Sequence, residues 1–165
     1  MMRLTTAVLG ASMVMWASAA AAQKPDFSGQ WTVDTEKTTA ANPAMPGGGG
    51  GGGGGRGMGA GPMTIKQDAA TLTTERQGGP NGTITATYKL DGTETVTTTQ
   101  RGEQKNKASW EGTTLVIVTT RPGMDGATMT TKSVYAKEGD WLVVTMTGQM
   151  GGNDFTRKTY YKKGA

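Results

Sequence analysis

The feature that most limits what this chain can fold into is its punctuation. Turn signals built on glycine recur roughly every ten residues, the spacing of short strands in an all-β domain. They are Gly78-Gly79-Pro80-Asn81-Gly82, Asp91-Gly92, Arg101-Gly102, Glu111-Gly112, Pro122-Gly123 with Asp125-Gly126, Glu138-Gly139-Asp140 and Gly151-Gly152-Asn153. Between them lie runs rich in threonine, whose β-branched side chain fits a pleated surface better than a helix. No run in this part of the chain repeats apolar residues at helical spacing. Ten strands are predicted, over 27–33, 63–68, 70–76, 83–90, 93–100, 104–110, 114–120, 128–137, 141–147 and 154–162. In the fourth, Ile84, Ala86, Tyr88 and Leu90 alternate with Thr83, Thr85, Thr87 and Lys89, so one face is apolar. A meander of this length leaves open edges unless it closes on itself, and closure removes them. The expected fold class is therefore all-β, an antiparallel meander closing into a barrel.

Two segments stand apart from this pattern. Residues 1–22 carry Arg3, an apolar run from Leu4 to Trp16 and the small-residue stretch Ala17-Ser18-Ala19-Ala20-Ala21-Ala22. That order matches a secretory signal, and the apolar run is shorter than the roughly 20 residues a membrane-spanning helix needs. Cleavage before Gln23 and a periplasmic or secreted location are expected, leaving 23–165 as one domain with no membrane span. The second segment is 38–62, where glycine runs unbroken from Gly47 to Gly55. Glycine loses the most entropy on ordering and has no side chain to bury, so a flexible insertion after the first strand is expected there. Residues 35–62 as a whole look poorly suited to helix. A strand pattern, Met63-Thr64-Ile65-Lys66, follows the glycines in place of the helix a phosphate cradle requires.

Chemistry is narrowed by what the sequence lacks. It contains no His and no Cys, which removes His-based triads, thiol nucleophiles and imidazole or thiolate metal sites. The carboxylates Asp91, Glu111, Asp125, Glu138, Asp140 and Asp154 sit beside turn glycines, where Asp commonly bonds its own backbone. Methionines such as Met63, Met129 and Met146 are scattered and read as core or cavity filling rather than a copper(I) site. The net charge of +4 is too small to argue for nucleic acid. A monomeric, non-enzymatic protein without a cofactor is expected.

Phe27-Ser28-Gly29-Gln30-Trp31 resembles the G-x-W opening of lipocalins and fatty-acid-binding proteins, in which the Trp closes one barrel end. Trp141-Leu142-Val143-Val144-Thr145 followed by Asp154-Phe155-Thr156-Arg157 and Tyr161-Lys162-Lys163 is similar to the last two strands of fatty-acid-binding proteins. Lipocalin-like domains of exported bacterial proteins look closer still. The resemblance implies structural roles for Gly29 and Trp31 and a small apolar or fatty-acid-like ligand in the barrel. It also implies a basic residue and a Tyr on the last strand as a carboxylate anchor. Two sets compete, Arg157 with Tyr161 or Lys158 with Tyr160, and Lys132 on the eighth strand is a reserve cation. A one-residue slip of register exchanges the two faces, so the sequence leaves both sets open. The competing functional reading is a structural or interaction domain of the cell envelope with a filled barrel.

Overall fold

The computed structural model describes residues 23–42, 61–77, 82–99, 102–123, 126–150 and 153–164. The expected signal peptide and residues 43–60 of the glycine-rich segment lie outside the described residues. One antiparallel sheet contains β1 (Gly29–Val33), β2 (Met63–Gln67), β3 (Thr71–Gln77), β4 (Thr83–Lys89), β5 (Thr95–Thr99), β6 (Gly102–Glu111), β7 (Thr114–Pro122), β8 (Thr128–Glu138), β9 (Trp141–Met150) and β10 (Asn153–Lys163). Among the described residues a single short helix, α1 (Thr35–Ala41), follows β1.

The strand order is β4-β3-β2-β1-β10-β9-β8-β7-β6-β5. Each strand pairs with its neighbour in sequence, except that β10 returns to β1 through Trp31↔Lys163 and Val33↔Tyr161. The result is a nearly closed barrel, with β4 and β5 at the seam and no ladder between them among the described residues. At one end of that seam the N–H of Gly92, just after β4, donates to Ala108 O of β6 at 2.9 Å. Tight hairpins explain the glycine signals. Gly112 and Gly139 both sit at φ 62° in two-residue loops, a region that L side chains reach only at a cost.

The ladders fix which side chains face inward. On β8, for example, Thr131, Ser133 and Tyr135 are buried while Lys132 is exposed between them. The apolar core gathers at the end of the barrel where β1 begins, from Phe27, Trp31, Ile65, Leu72, Leu90, Leu115 and Leu142. Phe27 precedes β1 yet is fully buried, stacked on Trp110 at 5.8 Å and tilted against Tyr135 at 6.2 Å. Its N–H donates to Gln67 Oε1 at 3.0 Å, and Gln67 Nε2 donates to Pro25 O at 3.1 Å, which ties the N-terminal segment across the barrel floor. Burial of these side chains supplies most of the fold's stability.

Helix α1 corrects the expectation that residues 35–62 avoid helix and that a flexible segment begins at 38. Propensity does not explain a seven-residue helix of this composition; its ends and its docking do. Asp34 caps it, accepting the Lys37 N–H at 2.8 Å. Beyond the span where β10 pairs with β1, the strand's edge is met by side chains of the helix. Thr38 Oγ1 accepts the Tyr160 N–H at 3.0 Å, and Asn42 Oδ1 accepts the Lys158 N–H at 2.8 Å. Asn42 Nδ2 in turn donates to Lys158 O at 2.6 Å. Two side chains thereby replace the backbone partners that another strand would have provided.

Candidate ligand site inside the barrel

Along β3 the alternation puts Leu72, Thr74 and Arg76 on the inner face. The Arg76 side chain crosses the interior and donates from Nη2 to Tyr135 Oη on β8 at 3.0 Å. Tyr88 of β4 and Tyr161 of β10 lie close enough to act on the same guanidinium. Burial works against the charge of Arg76, but Tyr135 first, then Tyr161 and Tyr88, outweigh it and raise its pKa. Tyr88 shows the converse effect. Burial pushes its hydroxyl up to about 12, Tyr135 adds to that, and Arg76 pulls the other way. Burial also raises Tyr161, against the pull of Arg76 and Arg157. The interior therefore presents a cation among three phenol hydroxyls, groups that can donate or accept a hydrogen bond. On the surface beside β1, β2 and β3, a half-open recess of about 210 Å³ is lined by Gln30, Trp31, Thr64, Glu75, Arg76 and Gln77.

The two candidate sets on the last strand separate by face. Arg157 pairs across to Met146, Thr159 to Val144 and Tyr161 to Leu142, so these three follow the inner face, with Tyr161 in the core. Lys158 and Tyr160 stand on the outer face. Lys158 Nζ lies 3.3 Å from Glu138 Oε1, and Tyr160 is buried there edge-on to Trp141 at 6.3 Å, with Lys37 Nζ 4.8 Å from its ring centre. Lys132 is also outside, exposed and 3.9 Å from Glu111 Oε1. Gly29 and Trp31 sit at the floor. Gly29 has φ 136°, and a Cβ there would meet Lys163 Cε at 3.0 Å. The Trp31 indole N–H donates to Phe27 O at 2.8 Å. Among the methionines, Met63 is in the core, and Met129 and Met146 are half-buried on the inner-face register.

No protein-family model matches this chain, and no curated protein matches its sequence. Among solved structures, secretory abundant heat soluble protein 4 from Ramazzottius varieornatus is similar over 84% of this chain and 94% of its own, at 16% identity and a TM-score of 0.51. The fold is that of the calycins. A fatty-acid-binding protein isolated from Manduca sexta matches over 61% of this chain and 71% of its own, at 24% identity and a TM-score of 0.44.

The barrel brings together Arg76, Tyr88, Tyr135 and Tyr161, and of these only Tyr161 is among the anchor residues expected from the sequence. A signal for Arg76 existed. A run ending Leu72-Thr73-Thr74-Glu75-Arg76 puts the arginine on the face of the leucine, two steps along. The tyrosines could not be grouped in this way, because they come from strands far apart in the sequence.

Proposed function

We propose that this calycin barrel is a binding module for a small anionic amphiphile held inside it, and that the protein works in the periplasm after export through residues 1–22. The observation that carries the reading is the Arg76 guanidinium set among three phenols in the barrel interior. A carboxylate cannot enter a barrel without a partner for its charge, and an arginine offers a two-pronged grip on it. Arg157, on the same face as Tyr161, supplements that charge. Phe27, Trp31, Leu115 and Leu142 fill the floor, which leaves the rest of the ligand to run along the inner face toward the other end.

The test is displacement of a fluorescent fatty acid from the chain spanning 23–165. Loss of a charged hydrogen bond from a buried site costs about 1.5–3 kcal/mol, so Arg76→Met is expected to weaken binding about tenfold or more. Lys158→Ala, on the outer face, is expected to leave it unchanged. Absence of saturable binding by the unaltered chain refutes the reading and favours a structural domain with a filled barrel.

A further inference from the structure

The inner face changes character toward the end of the barrel remote from the floor. Thr95 pairs with Asn106, Asn106 with Thr119 and Thr119 with Thr131, so four polar side chains form one continuous rung across β5, β6, β7 and β8. Asn106, only 2% exposed, is its hub. Its Oδ1 accepts from Thr119 Oγ1 at 2.9 Å, and its Nδ2 donates to Thr97 Oγ1 at 3.2 Å and to Gln104 O at 3.3 Å. Thr97 and Thr131 are themselves buried, and Ser133, also buried, is two residues nearer the floor on β8. Even with those bonds made, each threonine oxygen keeps acceptor capacity.

The rung lies beyond the arginine–tyrosine cluster. Tyr135, the partner of Arg76, is four residues from Thr131 along β8, a rise of roughly 14 Å in an extended strand. A ligand whose carboxylate meets Arg76 therefore extends past hydroxyls and an amide. A saturated tail laid there would displace water from them and return no hydrogen bond, which weakens binding at every such group.

We infer that the ligand is an acid oxygenated at both ends, with its carboxylate at Arg76 and a distal hydroxyl on the rung Thr95–Asn106–Thr119–Thr131. This rests on the binding reading above and adds the ligand's chemical class to it.

Calorimetric titration of the chain spanning 23–165 with decanoate and with ω-hydroxydecanoate tests it. The hydroxy acid is expected to bind about tenfold tighter or more, as sites built to hydrogen-bond a substrate hydroxyl discriminate against its absence. In the double variant Thr119→Val with Thr131→Val, which keeps side-chain shape, that preference is expected to vanish. Circular dichroism reports whether the variant is folded. Equal or tighter binding of decanoate, still weakened by Arg76→Met, overturns this inference and leaves the binding reading standing. A preference that survives the double substitution overturns the assignment to the rung. No saturable heat with either acid overturns both.

Discussion

Replacing Trp31 by alanine tests the floor of the barrel most directly. The side chain is 1% exposed and belongs to the continuous core. Truncating a buried aromatic of this size costs about 3–5 kcal/mol, from lost transfer energy and from the cavity left behind. A further contribution comes from Phe27, whose carbonyl accepts the indole N–H at 2.8 Å; stranding it costs about 1–3 kcal/mol. Lys137 Nζ, 4.8 Å from the ring centre, loses its aromatic partner as well. The total approaches the whole stability of an ordinary domain, about 5–15 kcal/mol. With a urea slope of about 2 kcal/mol/M, the unfolding midpoint is expected to fall by about 2 M or more. Trp31→Phe narrows the comparison, since it keeps a six-membered ring in the core and removes the donor with the rest of the indole. Its expected shift is under half that of the alanine variant. A fall of less than about 0.5 M for Trp31→Ala would mean that Trp31 is not a core residue, and the account of the floor would fail with it.

Two further outcomes follow from the same geometry. Thr38→Val removes the acceptor for the Tyr160 N–H while keeping side-chain shape, so a loss of about 1–3 kcal/mol in chemical denaturation is expected, with Thr38→Ser close to the parent; equal stability of all three would show that α1 does not hold the β10 edge. Tyr88 ionises near 12 in the folded chain and near 10 when unfolded, so the unfolded state loses that proton first and stability falls as pH rises from about 10 to 12; phenolate absorbance that titrates fully around pH 10 without unfolding would contradict the burial of Tyr88.

Most of the sheet was legible because two local signals agree. Threonine-rich alternation marks the strands, and glycine marks where they turn, as at Gly112 and Gly139. The ends of β6 through β10 fall within three residues of the places these signals indicate. Helix α1 was not legible, because Thr35-Glu36-Lys37-Thr38-Thr39-Ala40-Ala41 is two turns long with three threonines among good helix formers, too short to hold a helix by propensity. Its existence depends on Asp34 at one end and on the edge of β10, more than 110 residues away in sequence. Phe27 shows the same limit in reverse. It reads as a strand residue but acts as a plug, held by the Gln67 side chain. The face of the last strand was undecidable from its own sequence. The pairing of Tyr161 with Leu142 and Val33 settles it, and only the closed barrel supplies those neighbours.

The arrangement of cations then gives the net charge a different meaning from the one composition suggests. The described arginines, Arg76, Arg121 and Arg157, are all half-buried and all follow the inner-face register of their strands. Lysines occupy the outside: Lys66, Lys105, Lys107, Lys132, Lys158 and Lys162 each pair with a carboxylate there. This division follows the chemistry of the two side chains. An ammonium is strongly hydrated and is best left in water, whereas a guanidinium sheds water more readily and binds planar anions by two parallel bonds. The eleven described lysines are matched by twelve described carboxylates and contribute little net field. The positive excess of the described chain is therefore concentrated where a ligand would be enclosed, in surroundings that screen charge less than water does. An anion held there interacts with its arginines over a lower effective dielectric than any surface lysine could offer, which is why the interior, and not the basic C-terminal end, is the place to look for this protein's partner.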